Sequence, residues 1–319
     1  MEITILGRIG YDLYSEEPNL PLEQVRRFSR YLGGSSANMA VGLSRLGAKV
    51  GIVSCLGTDS LSEFLISFLK HENVDTRCIQ RRAGFVPSLS LTEISPPDSF
   101  PQVFYRHEAA DTQVDVGSTE LDYLAAGRMF ITNGTSLCAS PSRESTYRAM
   151  ERVRETGSRV VLDVDYRSMS WRNAEEAGLA VRLALPFVDV LIGNDVELKL
   201  VAETPSLDGA VEKLRKRVPL LVSKLGAQGT RVWTGEQSEF LPPYKIDVVS
   251  TIGAGDGFAS GFLYALQKGR PIVDCLHYGN ATAALVVGGL SCSEAMPTLP
   301  EVEQMIEQQR PQKLSSATK

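Results

Sequence analysis

The chain has 319 residues, 43% of them hydrophobic and 22% charged, and a formal net charge of −5 from 33 Lys plus Arg against 38 Asp plus Glu. That length can bury a large core and the composition excludes wholesale disorder, while an acidic balance with no basic tract argues against nucleic acid as a partner. No apolar run reaches membrane-spanning length, and the opening MEITILGRIGYD lacks the basic start and long apolar core of a secretory signal, so a cytoplasmic protein without a membrane partner is expected.

Short apolar strands alternate with amphipathic helices, the pattern of a mainly parallel sheet covered on both faces. Residues 2–7 (EITILG) read as a first strand, 35–46 as a helix and 49–55 as a strand. Leu61, Phe64, Leu65, Phe68 and Leu69 recur at helical spacing and predict a buried stripe. Further strands are expected at 128–132, 159–164, 188–192 and 219–223, each followed by a polar or glycine-bearing turn. In such sheets the turns after the strand C-termini build the site. Two segments, 11–32 and about 84–110, break the rhythm. The second alternates at 88–94 and 102–106 around Pro96, Pro97 and Pro101, as a small β insertion would, and an insertion of this kind can act as a lid. One large α/β domain carrying this insertion is expected, with residues 308–319 as a polar tail. Five scattered cysteines without a CxxC pair read as reduced thiols, not a disulfide framework or zinc site.

The most informative stretch is VVSTIGAGDGFASGF at 248–262. Gly253, Ala254 and Gly255 carry almost no side-chain bulk, so their N–H groups can approach an anion at a helix start, beside Asp256. Asp256 can accept the proton of an attacking hydroxyl, or it can simply cap the helix. Gly33 and Gly34 open the helix carrying Asn38, which offers both a donor and an acceptor to sugar hydroxyls, and Asp12 can accept hydroxyl hydrogens or sit as a turn residue. Neither a GxxxxGK[ST] loop nor a GxGxxG fingerprint occurs.

Together, the first strand with Asp12, GGSSANMAVGLSRLGAKV at 33–50 and STIGAGDGFASGF at 250–262 resemble the ribokinase family, the pfkB-type carbohydrate kinases. The resemblance covers nearly the whole chain. It implies a three-layer α/β/α fold with a β lid, use of ATP and Mg²⁺, and a homodimer formed through the lid. It casts Asp256 as general base and the backbone from Ile252 to Asp256 as the anion hole. By the same resemblance Asn194 and Glu197 (GNDVEL) organise Mg²⁺ through its waters, Lys224, Gly226 and Gly229 (SKLGAQG) contact the nucleotide, and Asn280 lines its adenine end. Asp12, Gly34 and Asn38 hold the sugar.

Further segments, among them FYRHEAAD at 104–111, TNGTSLCASPSRE at 132–144 and DVDYRSMSW at 163–171, are similar to family members that act on acid sugars. They cast Arg106 and Arg167, with Arg143 as a weaker third, as holding the substrate carboxylate or a nearby phosphate, a role that suits a guanidinium fork; a structural ion pair is the alternative for each. A neutral-sugar kinase and a binding protein that has lost catalysis are the competing readings. Ser250 stands where many ribokinase-like proteins carry an aspartate near a monovalent-cation site, and Ser36 where acid-sugar relatives often have proline.

Overall fold

Apolar residues alternate between the two faces of one long sheet, and this alternation is what stacks helices on both sides of it. Ile3, Ile5, Val161, Ile192 and Val222 point into one core, whereas Leu6, Phe130, Leu162, Leu191 and Leu221 point into a second on the opposite face. The computed structural model describes residues 1–96 and 99–309.

The chain starts with the wholly buried strand β1 (Ile3–Leu6), then β2 (Gly10–Ser15), β3 (Phe28–Gly33) and helix α1 (Ser35–Arg45). Next come β4 (Val50–Leu56), α2 (Ser60–His71), β5 (Ile79–Arg81), β6 (Ser88–Thr92) and β7 (Gln102–Tyr105). The middle of the chain alternates regularly: α3 (Ser118–Ala125), β8 (Met129–Asn133), α4 (Ser142–Glu155), β9 (Arg159–Asp163), α5 (Ala174–Ala184), β10 (Val190–Asn194), α6 (Asp195–Ala202). It continues with α7 (Leu207–Leu214), β11 (Leu220–Lys224), the hairpin β12 (Thr230–Thr234) and β13 (Gln237–Leu241), and closes with α8 (Ala254–Gln267), α9 (Ile272–Val287) and α10 (Leu299–Gln309).

Nine strands form one sheet in the order β13-β12-β11-β10-β9-β8-β1-β4-β5, parallel except at the β12 and β13 edge. Helices α1, α2, α8, α9 and α10 contribute to the first core and α3 to α7 to the second, giving the three-layer α/β/α architecture. A separate four-stranded sheet, β3-β2-β6-β7, is built from the two arrhythmic segments of the sequence. Its strand β6 alternates buried and half-buried positions and β7 half-buried and exposed ones, with Val103 and Tyr105 open to solvent, whereas β2 is buried along nearly its whole length.

Local chemistry explains the helix ends nearest the site. Asp59 caps α2 by accepting from the N–H groups of Leu61 and Ser62. Asn194 and Glu197 form a reciprocal capping box on α6. Gly253 starts α8 at φ 82° in the left-handed region, and a Cβ there would also collide with Cys292, so this turn demands glycine.

Some expectations need correction. Leu61 is 38% exposed, and the buried stripe of α2 runs instead through Leu65, Ile66 and Leu69 with Phe64 and Phe68 half-buried, because Leu61 falls in the solvent-facing first turn. The β12 and β13 hairpin, turned at Gly235 (φ 59°), is an addition to the expected strands, since a five-residue edge strand such as QSEFL, with its two apolar residues adjacent, carries no apolar alternation. Gln308 and Gln309 belong to α10 and not to a tail; the remainder of that tail, and Pro97, lie outside the described residues. All five cysteines are free thiols. No helix among the described residues is long and apolar enough to cross a membrane.

Candidate active site

The C-terminal ends of β1, β8, β9, β10 and β11 deliver Arg8, Asn133, Asp163, Asn194 and Lys224 to one edge of the large sheet, where the four-stranded sheet leans over a cavity of about 1170 Å³. The cavity is lined by Asp12, Gly34, Asn38, Arg167, Asn194, Glu197, Lys224, Gly226, Gly229, Gly253, Ala254, Gly255, Asp256 and Asn280, so nearly all the candidates converge on it.

Asp256 is the third residue of α8. Ile252 N–H donates to Ser250 Oγ at 3.2 Å and Ala254 N–H to Thr251 O at 3.4 Å. The N–H groups of Gly253, Gly255 and Asp256 are left without a protein acceptor among the described residues, at the positive end of a fourteen-residue helix. The anion cradle is therefore narrower than the five-residue span expected. The ammonium of Lys224 flanks it, 3.4 Å from the position a Cβ on Gly255 would take.

The Asp256 carboxylate is buried and held at both oxygens. Ser35 Oγ donates to Oδ1 at 2.6 Å, and Asn38 Nδ2 donates to Oδ2 at 2.8 Å, with Cys292 Sγ 3.5 Å from the same atom. Behind Ser35 the chain continues: Asn133 Nδ2 donates to Ser35 Oγ at 2.9 Å, and Ser36 Oγ donates to Asn133 Oδ1. Asn38 Oδ1 is a buried acceptor with no partner among the described residues. This row of donors fixes the orientation of Asp256 while the cavity stays open before it.

On the four-stranded sheet, Asp12 accepts from Ser90 Oγ at 2.7 Å, its cross-strand partner. Burial pushes the Asp12 carboxyl upward, with the positive charge of Arg8 opposing. At the far side, Lys224 Nζ lies 3.0 Å from both oxygens of Asp163. Burial pushes Asp163 upward against the pull of Lys224; the lysine, which burial alone would discharge, is held above its ordinary range by Asp163 and Glu197. Arg167 Nε donates to Asp165 Oδ1 at 2.8 Å, and its half-exposed side chain reaches the cavity. Glu197 is fully engaged by backbone: Oε2 accepts from Asn194 N–H at 2.7 Å and Oε1 from Tyr166 N–H at 3.0 Å.

Three candidates turn out differently. Arg106 does not line the cavity. It is buried against Asp111, whose Oδ2 accepts from both Nε (2.9 Å) and Nη2 (2.6 Å); Nη2 also donates to Thr135 O and Nη1 to Ser170 Oγ and Cys138 Sγ, so it is a structural ion pair with no fork left for a ligand. Asn280 lines the cavity, but its oxygen accepts from Thr230 Oγ1 and its nitrogen donates to Leu241 O and Pro242 O. It fixes the wall that carries Pro242, Pro243 and Tyr244, and has no amide hydrogen free for a ligand. Arg143 bonds Leu137 O, Cys138 O and Glu176 and also stays outside the cavity.

Sequence reasoning missed Arg8, Asp163, Asp165, Ser35 and Asn133. The signal for the two aspartates is present in DVDYR directly after a strand; Arg8 lies in the first strand-end turn, GRIG, where no motif sets it apart.

A three-layer α/β fold with a carboxylate at a glycine-started helix, facing a cavity at the sheet's carboxyl edge, defines a small-molecule kinase architecture. The comparisons agree. The pfkB family carbohydrate kinases match residues 2–299. The chain is 34% identical over 317 residues to a 5-dehydro-2-deoxygluconokinase of Geobacillus kaustophilus, covering 97% of this chain and 95% of that protein. It is 34% identical over 314 residues to the same-named protein of Geobacillus thermodenitrificans, covering 96% and 93%. Among solved structures, a fructokinase with bound ATP from Xylella fastidiosa superposes with a TM-score of 0.85 at 26% identity, covering 97% of this chain and 98% of that one. The chain belongs to the pfkB family of carbohydrate kinases. It is a phosphotransferase with an alcohol group as acceptor.

Proposed function

We propose that this kinase transfers the γ-phosphoryl group of ATP to a primary hydroxyl of an acid sugar, 5-dehydro-2-deoxy-D-gluconate, a step of inositol breakdown. The observation that carries the reading is the buried Asp256 carboxylate beside three unpaired N–H groups at the start of α8. Asp256 takes the proton of the substrate hydroxyl as its oxygen bonds to the γ-phosphorus; the bond from that phosphorus to the β–γ bridging oxygen breaks, and ADP leaves. The N–H groups of Gly253, Gly255 and Asp256, with Lys224, meet the charge on the moving group. Asp12, Gly34 and Asn38 orient the hydroxyls, and the unpartnered Asn38 Oδ1 is an acceptor that a sugar hydroxyl satisfies. The nucleotide takes the side walled by Gly226, Gly229 and the segment that Asn280 holds.

Among the described residues no cluster of three or more His, Cys, Asp or Glu side chains is disposed to hold a metal alone, and both Glu197 oxygens already accept backbone bonds. That arrangement does not fit a protein-only metal centre; Asn194 and Glu197 would hold a Mg²⁺ through water. When bound, the ion neutralises phosphate charge. The four-stranded sheet closes over the sugar as a lid, its solvent-open strands joining a second copy in a cytoplasmic homodimer, which sedimentation of the purified protein tests. The names of the two Geobacillus relatives support the acceptor assignment. ADP release measured over a panel of acid and neutral sugars, including 2-dehydro-3-deoxygluconate and fructose, tests it: the highest kcat/KM is expected with 5-dehydro-2-deoxygluconate, and turnover confined to neutral sugars overturns the reading.

A further inference from the structure

Arg8 is 9% exposed, lines the cavity, and forms no ion pair: among the described residues no carboxylate oxygen comes within 4.0 Å of its guanidinium. Among the described residues its guanidinium makes one hydrogen bond, from Nη1 to Ser88 Oγ at 3.1 Å, and its guanidinium carbon lies 5.6 Å from the centre of the Phe104 ring. A buried cation without a counter-charge is costly, and such groups are ordinarily paired or discharged; arginine cannot discharge. The chain also makes room for it. A Cβ on Gly10 would stand 2.5 Å from Arg8 Nη1, so any other residue there would push the guanidinium away. Asp12 and Asp165 act on Arg8 only at longer range, and Arg167 faces the same two carboxylates.

We infer that Arg8 is the specificity-determining cation of this site, receiving the carboxylate of the acid sugar in its guanidinium fork with Arg167 beside it, in the role expected of Arg106. The inference rests on the acid-sugar reading above and names the residue that enforces it. A planar carboxylate completes the missing ion pair, while Ser88 and Phe104 hold the fork in place. A neutral sugar leaves Arg8 buried and unpaired, so the site selects against it.

The test compares 5-dehydro-2-deoxygluconate with its C1 carboxamide in the wild type, Arg8→Gln and Arg8→Lys. Wild type is expected to prefer the acid; equal turnover of acid and amide by wild type overturns the acid-sugar reading itself and this inference with it. If wild type prefers the acid, Arg8→Gln is expected to raise KM for the acid roughly 10- to 100-fold, with KM for the amide within about threefold of wild type. Arg8→Lys, which keeps charge without the fork, is expected to fall between. Equal loss for acid and amide in Arg8→Gln, or a melting temperature of both variants well below wild type, shows a structural arginine and overturns the inference while leaving the acid-sugar reading standing.

Discussion

Two buried polar networks lie within this one molecule and differ in where they end. Around Arg106 every guanidinium nitrogen is consumed by Asp111, Ser170, Cys138 and Thr135, and the group is shut off from the cavity. The row from Ser36 through Asn133 and Ser35 instead runs out at Asp256, whose carboxylate faces the cavity. Both carry buried charge, so burial and charge alone do not mark a site. The network that stops at an open cavity has capacity left for a ligand, and the one that closes on itself ties β7 to the loops after β8 and β9.

The sharpest way to break this contrast is Asp256→Asn. It keeps the shape and most of the hydrogen bonding but removes the basic oxygen, so kcat should fall by about 10²- to 10⁴-fold while the melting temperature stays close to wild type. Steady-state ADP release and a thermal melt together decide it; undiminished turnover would remove Asp256 from the chemistry. On the closed network, Asp111→Ala leaves the Arg106 charge buried and unpaired. Unfolding free energy from denaturant titration should fall by about 3–5 kcal/mol, with KM for the sugar unchanged in the protein that remains folded. A selective rise in KM would mean that Arg106 reaches substrate after all.

Ser35→Ala separates the two networks more finely. It removes the donor to Asp256 Oδ1 and leaves Asn133 Nδ2 without its acceptor, so kcat should drop about tenfold, with a smaller change in KM. An unchanged kcat in steady-state ADP release would reduce Ser35 to packing. The smallest effect concerns Asp12. Burial raises its carboxyl, which means that the folded state holds the proton more tightly than the unfolded chain. The corresponding stabilisation is therefore present in full below the unfolded value of about 3.9 and is lost as pH rises through the folded one. Asp12→Asn should accordingly raise the melting temperature at pH 7, leave it nearly unchanged near pH 3, and weaken sugar binding. A lower melting temperature at pH 7 would show that the charge is stabilising where it stands.

How much of this was legible beforehand differs by element. The buried parallel strands were readable because each is a short apolar run followed by a turn, and α1 and α8 because glycine pairs announce their starts. The edge hairpin of β12 and β13 was not, since its outward strand QSEFL is short, largely exposed and without apolar alternation. At the site, Asp256, Asn38 and Lys224 stood out through the glycine context around them. The row formed by Ser35, Ser36 and Asn133 was invisible because its members lie 97 or 98 positions apart along the chain and none is unusual alone.

What the linear order of residues determined by itself was the alternation of strand and helix, the glycine-started turn before Asp256 and the family to which these motifs belong. Those features are local: they depend on side-chain period, on backbone freedom and on which residue follows which. Which of two arginines is paired and which is left facing the cavity was decided only by the tertiary structure, because charge compensation depends on distances between segments that folding brings together. Arg106 meets Asp111 five positions on, where β7 has ended, whereas Arg8 is carried by the end of β1 into the cavity, where no carboxylate of the described residues comes within ion-pair reach.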